Sequence, residues 1–257
     1  MQELRIQLPS GKKLYFASDF HLGVPTQLLS LERERKLIRW FNSIKTDAHA
    51  IFLLGDLFDF WFEYAQAVPK GFTRFLGKLA ELSDSGIEIH IFPGNHDLWM
   101  FDYLKTEIGV IIHRNPVNLL CGNHQLLAGH GDGLGPGDQT YKFLKKIFVS
   151  KIAQKLFSWL HPDIGIKLAQ IWSRKSRISN IKDGEKFNGV DREFLLAWCK
   201  EIESANHHDY YIFGHRHLPL TLPVGNNSTY INLGEWVHFS PYAVYDGNAL
   251  ILNSFEA

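Results

Sequence analysis

Five short segments of the sequence carry side chains that can bind a divalent metal ion. Each segment contains aspartate, asparagine or histidine, and none contains cysteine. The candidate ligands are Asp19, His21, Asp56, Asn95, His130, His215 and His217. Carboxylate, imidazole and amide ligands without thiolates favour Mn, Fe or Zn over soft metals and iron–sulfur clusters. The sequence therefore predicts a metal centre with mixed oxygen and nitrogen ligands.

The number of ligands indicates two metal ions rather than one. Two cations that lie ~3.5–4 Å apart need a shared carboxylate, and such a pair can activate water for attack on phosphorus. We assign Asp56 as the shared ligand. The other ligands then divide between the ions as Asp19, His21 and His217 on one side and Asn95, His130 and His215 on the other. His215 and His217 can serve different ions only if the backbone curls at Arg216.

Each candidate segment follows an apolar stretch that is typical of a buried β-strand. We predict these strands at residues 14–17, 50–54, 87–92, 125–128 and 210–213. In α/β sheets the loops at the carboxyl ends of the strands converge on one edge, so five strand ends can bring their ligands together. A single Asp-x-His or Gly-His pair is usually an ordinary turn, but a turn has no need of histidine. With helices predicted at 27–44 and 72–84, the pattern indicates a layered α/β sandwich.

In their order, the five segments resemble the signature of the calcineurin-like metallophosphoesterase family. They read Asp19-x-His21, Gly55-Asp56-x-x-Asp59, Gly94-Asn95-His96-Asp97, Gly129-His130 and Gly214-His215-x-His217. The resemblance implies a single domain over residues 1–257, built as a four-layer α/β/β/α sandwich, and it implies the ligand assignments given above. It also implies two divalent metal ions, with Mn²⁺ as the first choice and Fe or Zn as alternatives.

The same resemblance implies roles for the two residues after Asn95. His96 would act as an acid or contact phosphate near the leaving group, without binding metal. Asp97 would orient His96 or the neighbouring backbone, although an aspartate at this point can also cap a helix that begins there.

Softer motifs resemble one branch of this family, the UDP-2,3-diacylglucosamine hydrolases of lipid A synthesis. They are Gly55-Asp56-Leu57-Phe58 with Trp61, Ser83-Asp84-Ser85-Gly86, Gly131-Asp132, Asp138-x-x-Tyr141 and Leu233-Gly234-x-Trp236. This branch implies cleavage of the pyrophosphate of a UDP-linked diacylglucosamine lipid, which yields UMP and 2,3-diacylglucosamine 1-phosphate. Candidates for substrate binding are Asp138, Tyr141 and Trp236. The best-known members have Arg at the position of His96, so this chain retains the residue of the broader family there.

A basic and apolar segment, residues 135–188, is predicted to form a helical cap inserted in the domain. Between Lys142 and Lys182 it contains ten basic residues against Asp163 alone. One helical stripe holds Phe148, Ile152, Leu156 and Trp159. Either the cap packs on the core with a solvated basic side, or it is a lid for acyl chains and anionic head groups at a bilayer surface. Candidates for a phosphate clamp in such a lid are Lys175, Arg177 and Lys182.

The bulk composition indicates a globular protein whose net charge identifies no partner. Apolar residues make up 45% of the 257 residues, and basic and acidic residues balance at 27 each. Cys121 and Cys199 form no metal or redox pair, no signal peptide is visible, and no apolar run approaches the roughly 20 residues of a membrane span. We expect a cytoplasmic enzyme that associates peripherally with the inner membrane. We expect no nucleic-acid binding, because aliphatic residues outnumber aromatic ones in the basic segment.

Two alternative functions are compatible with these patterns. The ligand set permits a general phosphatase or a nucleotide phosphodiesterase of the same fold. A non-catalytic scaffold could keep the fold without the chemistry, but it would be expected to lack some of the ligands, and none is missing.

The remaining histidines show no comparable pattern. We expect His113, His124 and His161 at the surface or in loops, and His207 and His208 in a solvated turn. None of them is predicted to bind metal.

Overall fold

Two six-stranded β-sheets form the centre of the structure. The computed structural model describes residues 1–137, 139–183 and 186–256, without the side chains of 172 and 174–183. The strands are β1 (Gln2–Ile6), β2 (Lys13–Ala17), β3 (Ala48–Leu53), β4 (Glu88–Ile91), β5 (Ile111–Ile112), β6 (Val117–Cys121), β7 (His124–Gly129), β8 (Tyr210–Phe213), β9 (Pro219–Pro223), β10 (Thr229–Leu233), β11 (Pro241–Tyr245) and β12 (Leu250–Ser254). The first sheet has the order β1-β6-β7-β8-β10-β9, and the second has the order β12-β11-β2-β3-β4-β5.

Seven α-helices accompany the sheets in the described part of the chain. They are α1 (Gln27–Ile44), α2 (Thr73–Asp84), α3 (Tyr103–Ile108), α4 (Gln139–Phe148), α5 (Lys151–Ser158), α6 (Pro162–Asp183) and α7 (Phe194–Ala205). Helix α1 begins after Thr26, whose hydroxyl oxygen accepts a hydrogen bond from the Leu29 N–H at 3.2 Å, as an N-cap threonine does. No described helix has the length and hydropathy of a membrane span.

Apolar side chains fill three layers of the molecule. Phe16 and Ile212 belong to the cluster between the two sheets. Trp40 of α1 and Phe75 of α2 belong to a second cluster, which joins these helices to the outer face of the second sheet. Leu195 of α7 belongs to a third cluster, which covers the outer face of the first sheet. The order of helix, sheet, sheet and helix confirms the predicted four-layer α/β/β/α sandwich.

The strands that precede the candidate ligands are neighbours within their sheets. Strands β2, β3 and β4 run parallel in the second sheet, and β7 and β8 run parallel in the first. Parallel neighbours end at the same edge, so the five segments meet there in two groups. The predicted elements agree with the structure to within two residues, and α1 has the predicted bounds.

The helices α4, α5 and α6 lie within the predicted insertion at 135–188. The predicted stripe along a single helix is wrong, because α4 ends at Phe148 and α5 starts only after a break. The Phe148 ring lies against Trp99, with 5.8 Å between ring centroids, whereas Ile152 and Trp159 are 74% and 73% exposed. The insertion therefore divides its apolar residues between a side that packs and a side that stays exposed.

Two histidines outside the predicted ligand set, His113 and His208, are buried. His113 is 4% exposed and lies with His90 between the rings of Phe52 and Phe92. Its Nε2 is 2.9 Å from His90 Nδ1. His208 is buried as well. His113 lies in a loop, as expected, but away from solvent, whereas the expected solvated turn at His208 is wrong. An imidazole can be buried when it has hydrogen-bond partners inside the protein, such as His90 for His113 and the Asn206 carbonyl oxygen for His208.

The buried His113 predicts a loss of stability in mild acid. Burial and the neighbouring His90 lower the pKa of His113 to about 4, whereas an unfolded histidine titrates at about 6.5. The folded protein thus favours the neutral ring. The resulting stability is complete above about pH 6.5 and is lost as the pH falls toward about 4.

We expect wild-type protein to lose on the order of 1–2 kcal/mol more unfolding free energy than His113→Gln between about pH 7.5 and about pH 5. Glutamine keeps a polar group at this position but does not titrate. Urea unfolding at the two pH values measures the difference, and equal losses in the two proteins would contradict the interpretation.

Candidate metal centre

The loop after β2 holds Asp19 and His21 in left-handed backbone conformations, with φ of 56° and 45°. Their backbone N–H groups donate to the carbonyl oxygens of Gly55 and Asp56, both at 2.9 Å. This loop is thus hydrogen-bonded to the loop after β3, which fixes Asp19 and His21 relative to Asp56. Non-glycine residues in this conformation cluster at functional sites, where the surrounding structure holds them in place.

A buried arginine holds the same loop from the helical layer. Arg33 of α1 donates through Nη1 to the carbonyl oxygens of Phe20, His21 and Val24, at 3.1, 2.9 and 3.1 Å. A guanidinium keeps its charge and carries several donors, so it can satisfy carbonyls that the left-handed turns leave without partners. This role of Arg33 is not evident from the sequence, because the local pattern does not distinguish it from the other arginines of α1.

Asp56 lies between imidazoles of both predicted halves of the site. Its Oδ2 is 3.5 Å from His130 Nε2 and 4.0 Å from His21 Nε2. Its Oδ1 accepts a hydrogen bond from the His96 N–H at 2.9 Å. Burial raises the pKa of this carboxyl, but the nearby imidazoles outweigh burial and hold the pKa well below its usual range. An ionised carboxylate that faces both halves has the position that a bridging ligand needs.

The backbone curls between His215 and His217, as the two-metal interpretation requires. The two residues have φ of 67° and 54°, and the backbone N–H of Arg216 donates to the Gly214 carbonyl oxygen at 2.8 Å. His217 Nε2 lies 3.2 Å from Asp19 Oδ1 in one half. The His215 ring lies in the other half, with 5.2 Å between its centroid and that of His130.

His130 turns its Nε2 toward Asp56 and Asn95. Its Nδ1 is 2.7 Å from the Leu54 carbonyl oxygen, which can only accept, so Nδ1 carries the hydrogen and Nε2 is left to bind a cation. Asn95 Oδ1 lies 3.3 Å from this Nε2. Burial lowers the pKa of His130, but Asp56 outweighs burial and raises it to about 10. Burial and the adjacent His130 lower the pKa of His215 to about 4.

The donor set fits divalent cations. Asp19 Oδ1 is buried and accepts no hydrogen bond from the described residues. His21 Nε2 and His217 Nε2 lie 3.0 Å apart, at 3.8 and 3.2 Å from this oxygen. A buried anionic oxygen beside two converging imidazole nitrogens is an arrangement that a divalent cation stabilises. We propose that one ion is held by Asp19, His21, Asp56 and His217 and the other by Asp56, Asn95, His130 and His215.

His96 lies beside the proposed ligands without joining either group. Its Nδ1 is 3.0 Å from the Asp59 carbonyl oxygen, which favours a hydrogen on Nδ1. Its ring stands edge-on to His21, with 5.2 Å between centroids. Nε2 is therefore the ring nitrogen left to meet a substrate, and a role in leaving-group or phosphate contact stays our prediction.

Asp97 is buried and orients backbone rather than the His96 ring. It accepts hydrogen bonds from the N–H groups of Leu57 and Gly94, both at 2.7 Å. Burial, together with the nearby Asp56 carboxylate, raises the pKa of Asp97 to about 7. No described helix begins at Asp97, so the helix-capping alternative is wrong. Its carboxylate instead joins the segment after β3 to the segment after β4.

Two motif glycines leave room for ligands of other segments. A Cβ at Gly94 would overlap the Asp56 carboxylate and lie 2.7 Å from His130 Nε2. A Cβ at Gly214 would overlap Asp19 Oδ2. Glycine is needed at both positions because the ligands of one segment occupy the space where the next would carry its side chain.

The prediction that Trp236 binds substrate is wrong. Its side chain is 2% exposed and packs against Phe20 and Trp40. Its indole N–H donates to the Pro241 carbonyl oxygen at 2.7 Å. The Trp236 backbone N–H donates to the Asp19 carbonyl oxygen at 3.1 Å, so the residue supports the site from the core.

Tyr141, another residue predicted to bind substrate, contacts Asp132. Its hydroxyl donates to Asp132 Oδ2, and Lys145 Nζ lies 2.6 Å from the same oxygen. Burial raises the pKa of Asp132, but His130 and Lys145 outweigh burial and lower it. Helix α4 is therefore tied to the loop that carries His130. The other candidates lie outside the described residues, either entirely or by their side chains: Asp138, Lys175, Arg177 and Lys182.

Asn232 of β10 is a further supporting residue that the sequence analysis missed. Its side-chain N–H donates to the Gly214 carbonyl oxygen, and its Oδ1 accepts from the Gly234 N–H at 3.2 Å. The side chain is fully buried. An isolated asparagine within a strand gives no local signal of this role.

Comparison with known families defines the class of this protein. Residues 12–219 match the family model of the calcineurin-like phosphoesterases. The matched range covers most of the chain and includes all seven candidate ligands. The chain belongs to the calcineurin-like phosphoesterase family.

Relatives of this chain carry names that are more specific than the family. The chain is similar to the UDP-2,3-diacylglucosamine hydrolase of Porphyromonas gingivalis, with 39% identity over 95% of this chain and 98% of the relative. It is similar to the UDP-2,3-diacylglucosamine hydrolase of Proteus mirabilis, with 25% identity over 86% and 90%. Among solved structures it is similar to Yfce, a phosphoesterase from E. coli, with a TM-score of 0.45, 16% identity and coverage of 93% and 90%.

Loss of the shared carboxylate should affect both ions. We expect Asp56→Asn to retain less metal per chain than Asp19→Asn and to lose hydrolytic activity. Asp56 lies near imidazole nitrogens of both halves, whereas the Asp19 carboxylate lies near those of His21 and His217 in one half. Elemental analysis of the dialysed proteins, with wild type alongside, measures the difference. One ion per wild-type chain, or normal turnover in Asp56→Asn, would refute the dinuclear proposal.

Loss of the buried arginine should weaken the loop that carries Asp19. Arg33→Met keeps a long side chain but leaves three carbonyl oxygens without their donor, so we expect a loss of at least roughly 2 kcal/mol in unfolding free energy. Arg39→Met, an exposed position of the same helix, is the matched control. Identical unfolding curves for the two variants would show that the contacts of Arg33 contribute little.

Proposed function

We propose that this chain hydrolyses the pyrophosphate of UDP-2,3-diacylglucosamine to UMP and 2,3-diacylglucosamine 1-phosphate. The observation that carries the proposal is the 39% identity to the Porphyromonas gingivalis UDP-2,3-diacylglucosamine hydrolase over nearly the whole length of both chains. The complete set of seven candidate ligands supports a catalytic role over that of a scaffold.

The residues of the site divide the chemistry among them. Divalent cations, with Mn²⁺ first and Fe or Zn as alternatives, would supply activated water and positive charge for the phosphate oxygens when bound. Asp56 and the ligands around it would hold them. His96, whose Nδ1 is fixed at the Asp59 carbonyl oxygen, presents Nε2 to the leaving group or a phosphate oxygen. Asp97 holds the segments after β3 and β4 together, because its carboxylate accepts hydrogen bonds from a backbone N–H group of each.

The insertion supplies charge for the two phosphates of the substrate. We assign the phosphate clamp to Lys175, Arg177 and Lys182, and further substrate contacts to Asp138 and Tyr141. Lys145, on the same insertion, is paired with Asp132 in the loop that carries His130, so the insertion lies next to the metal centre. Basic side chains of the insertion beside the metal centre would favour the charged pyrophosphate over an uncharged substrate.

The packed side of the insertion offers an apolar wall. Phe157 of α5 lies against Phe62 and Trp99, each with 4.8 Å between ring centroids, and against Phe60 at 6.1 Å. A wall of this kind can bury hydrocarbon, which contributes about 0.8 kcal/mol per CH₂. We assign the acyl chains of the substrate to this side of the insertion.

The exposed side of α5 is suited to a membrane surface. It presents Ile152 and Leu156, with Trp159 directly after the helix, each more than half exposed, and it also carries Lys151 and Lys155. Apolar residues flanked by lysines bind anionic bilayers through both burial and charge. We therefore propose peripheral association with the cytoplasmic face of the inner membrane, where the lipid substrate would be met.

A general phosphatase or nucleotide phosphodiesterase is the second candidate. It is favoured by His96, which is the residue of the broader family at this position. Such an enzyme needs only the chemistry of the metal site and no contact from the insertion. Turnover separates the two functions. We expect the Mn²⁺-loaded protein to hydrolyse UDP-2,3-diacylglucosamine in micelles to UMP, with kcat/KM at least about 10²-fold above that for a chromogenic phosphodiester. The reverse preference would favour the second candidate.

Variants of the exposed face test the role of the insertion. We expect Ile152→Ser combined with Leu156→Ser to raise KM for the lipid substrate roughly tenfold and to reduce binding to anionic vesicles. Hydrolysis of the chromogenic phosphodiester should be unchanged, since it needs only the metal site. Ile251→Ser, at an exposed position of edge strand β12, is the matched control.

Two outcomes would contradict this assignment. An unchanged KM for the lipid substrate would show that the exposed face takes no part in lipid capture. Equal losses of both activities would show that α5 merely supports the fold.

A further inference from the structure

Ser173 of α6 is a buried side chain of the insertion that reaches the site. It is 8% exposed, and its Oγ lies 3.1 Å from His96 Nδ1. The contact joins residues 77 positions apart in the chain. Neither the metal ligands nor the proposed substrate contacts include this serine.

The contact has a defined hydrogen-bond direction. The Asp59 carbonyl oxygen, 3.0 Å from His96 Nδ1, can only accept, so the hydrogen is on Nδ1. Ser173 Oγ is then the second acceptor of the same N–H. Two acceptors on different elements fix the rotation of the imidazole ring more firmly than one. The ring rotation in turn sets where Nε2 points.

We propose that Ser173 is a positioning residue through which the insertion sets the orientation of the His96 ring. This inference rests on the proposed function, in which His96 Nε2 meets the substrate. The helix that carries the proposed phosphate clamp also holds the ring of His96. Packing of the insertion on the domain then also orients the His96 ring.

Other contacts hold the insertion in place without touching His96. The Trp99 indole N–H donates to the Phe148 carbonyl oxygen at 2.8 Å, and Lys145 lies 2.6 Å from Asp132. Removal of the Ser173 hydroxyl should therefore leave α4 attached to the domain. Loss of this hydroxyl should instead change the orientation of the His96 ring and the local stability of α6 near Ser173.

Steady-state kinetics of Ser173→Ala with UDP-2,3-diacylglucosamine test the proposal. We expect kcat to fall about twofold to tenfold while KM stays within about twofold, as for the loss of one hydrogen bond that orients a reacting group. Ser173→Thr keeps the hydroxyl and should restore most of kcat. Ser158→Ala, at an exposed serine of α5, is the matched control and should match wild type.

A double-mutant cycle separates positioning from support of the fold. His96→Ala should lower kcat by roughly 10²–10⁴. In that background Ser173→Ala should have no further effect, because the ring through which it acts is gone. Independent losses that multiply would overturn the proposal, and so would wild-type kcat in Ser173→Ala.

Hydrogen exchange tests the same contact without substrate. His96→Ala should speed amide exchange in residues 162–173, and Ser173→Ala should reproduce that change, while α4 exchanges as in wild type. Unchanged exchange in both variants would overturn the proposal. If the wild-type protein does not hydrolyse the UDP-lipid, the proposed function fails, and the exchange result still decides whether Ser173 holds His96.

Discussion

The carboxylate of Asp56 is a buried anion at the edge where the two sheets meet, and the other site residues are arranged around it. Its oxygens face His130, His21 and the backbone of His96. Residues from one sheet alone cannot surround a side chain on all sides. Both sheets must therefore end at the same edge, and glycine must stand where their segments cross. The sandwich serves to bring opposing loops together as much as to bury apolar side chains.

The sequence predicts the parts of this arrangement that depend on local patterns. Helix α1 and the five ligand segments could be located because each has its own composition and spacing. Arg33 and Asn232 could not be found in this way, since each acts through hydrogen bonds to distant carbonyl groups. Trp236 was assigned wrongly because a motif that resembles one branch of the family contains it, whereas its ring is covered by Trp40 of α1.

The insertion shows a different limit of sequence reasoning. Its composition indicates a basic and apolar cap, but the break between α4 and α5 and the face that α5 turns to the core decide which apolar residues pack and which stay exposed. Phe148 and Phe157 face Trp99, while Ile152 and Trp159 do not pack in this way. One segment can therefore offer separate surfaces to the core and to a membrane. A periodicity calculated along a continuous helix merges the two.

The left-handed backbone of the candidate ligands bears on how such a protein can be engineered. Asp19, His21, Asp56, His215 and His217 all have positive φ. At roughly 1 kcal/mol each, their combined strain is of the same order as the net stability of a typical domain, about 5–15 kcal/mol. The usual remedy for such strain, replacement by glycine, would remove the very groups that the backbone is bent to present. Thermostable variants must therefore leave this edge strained and draw their gains from the helical layers and surface loops.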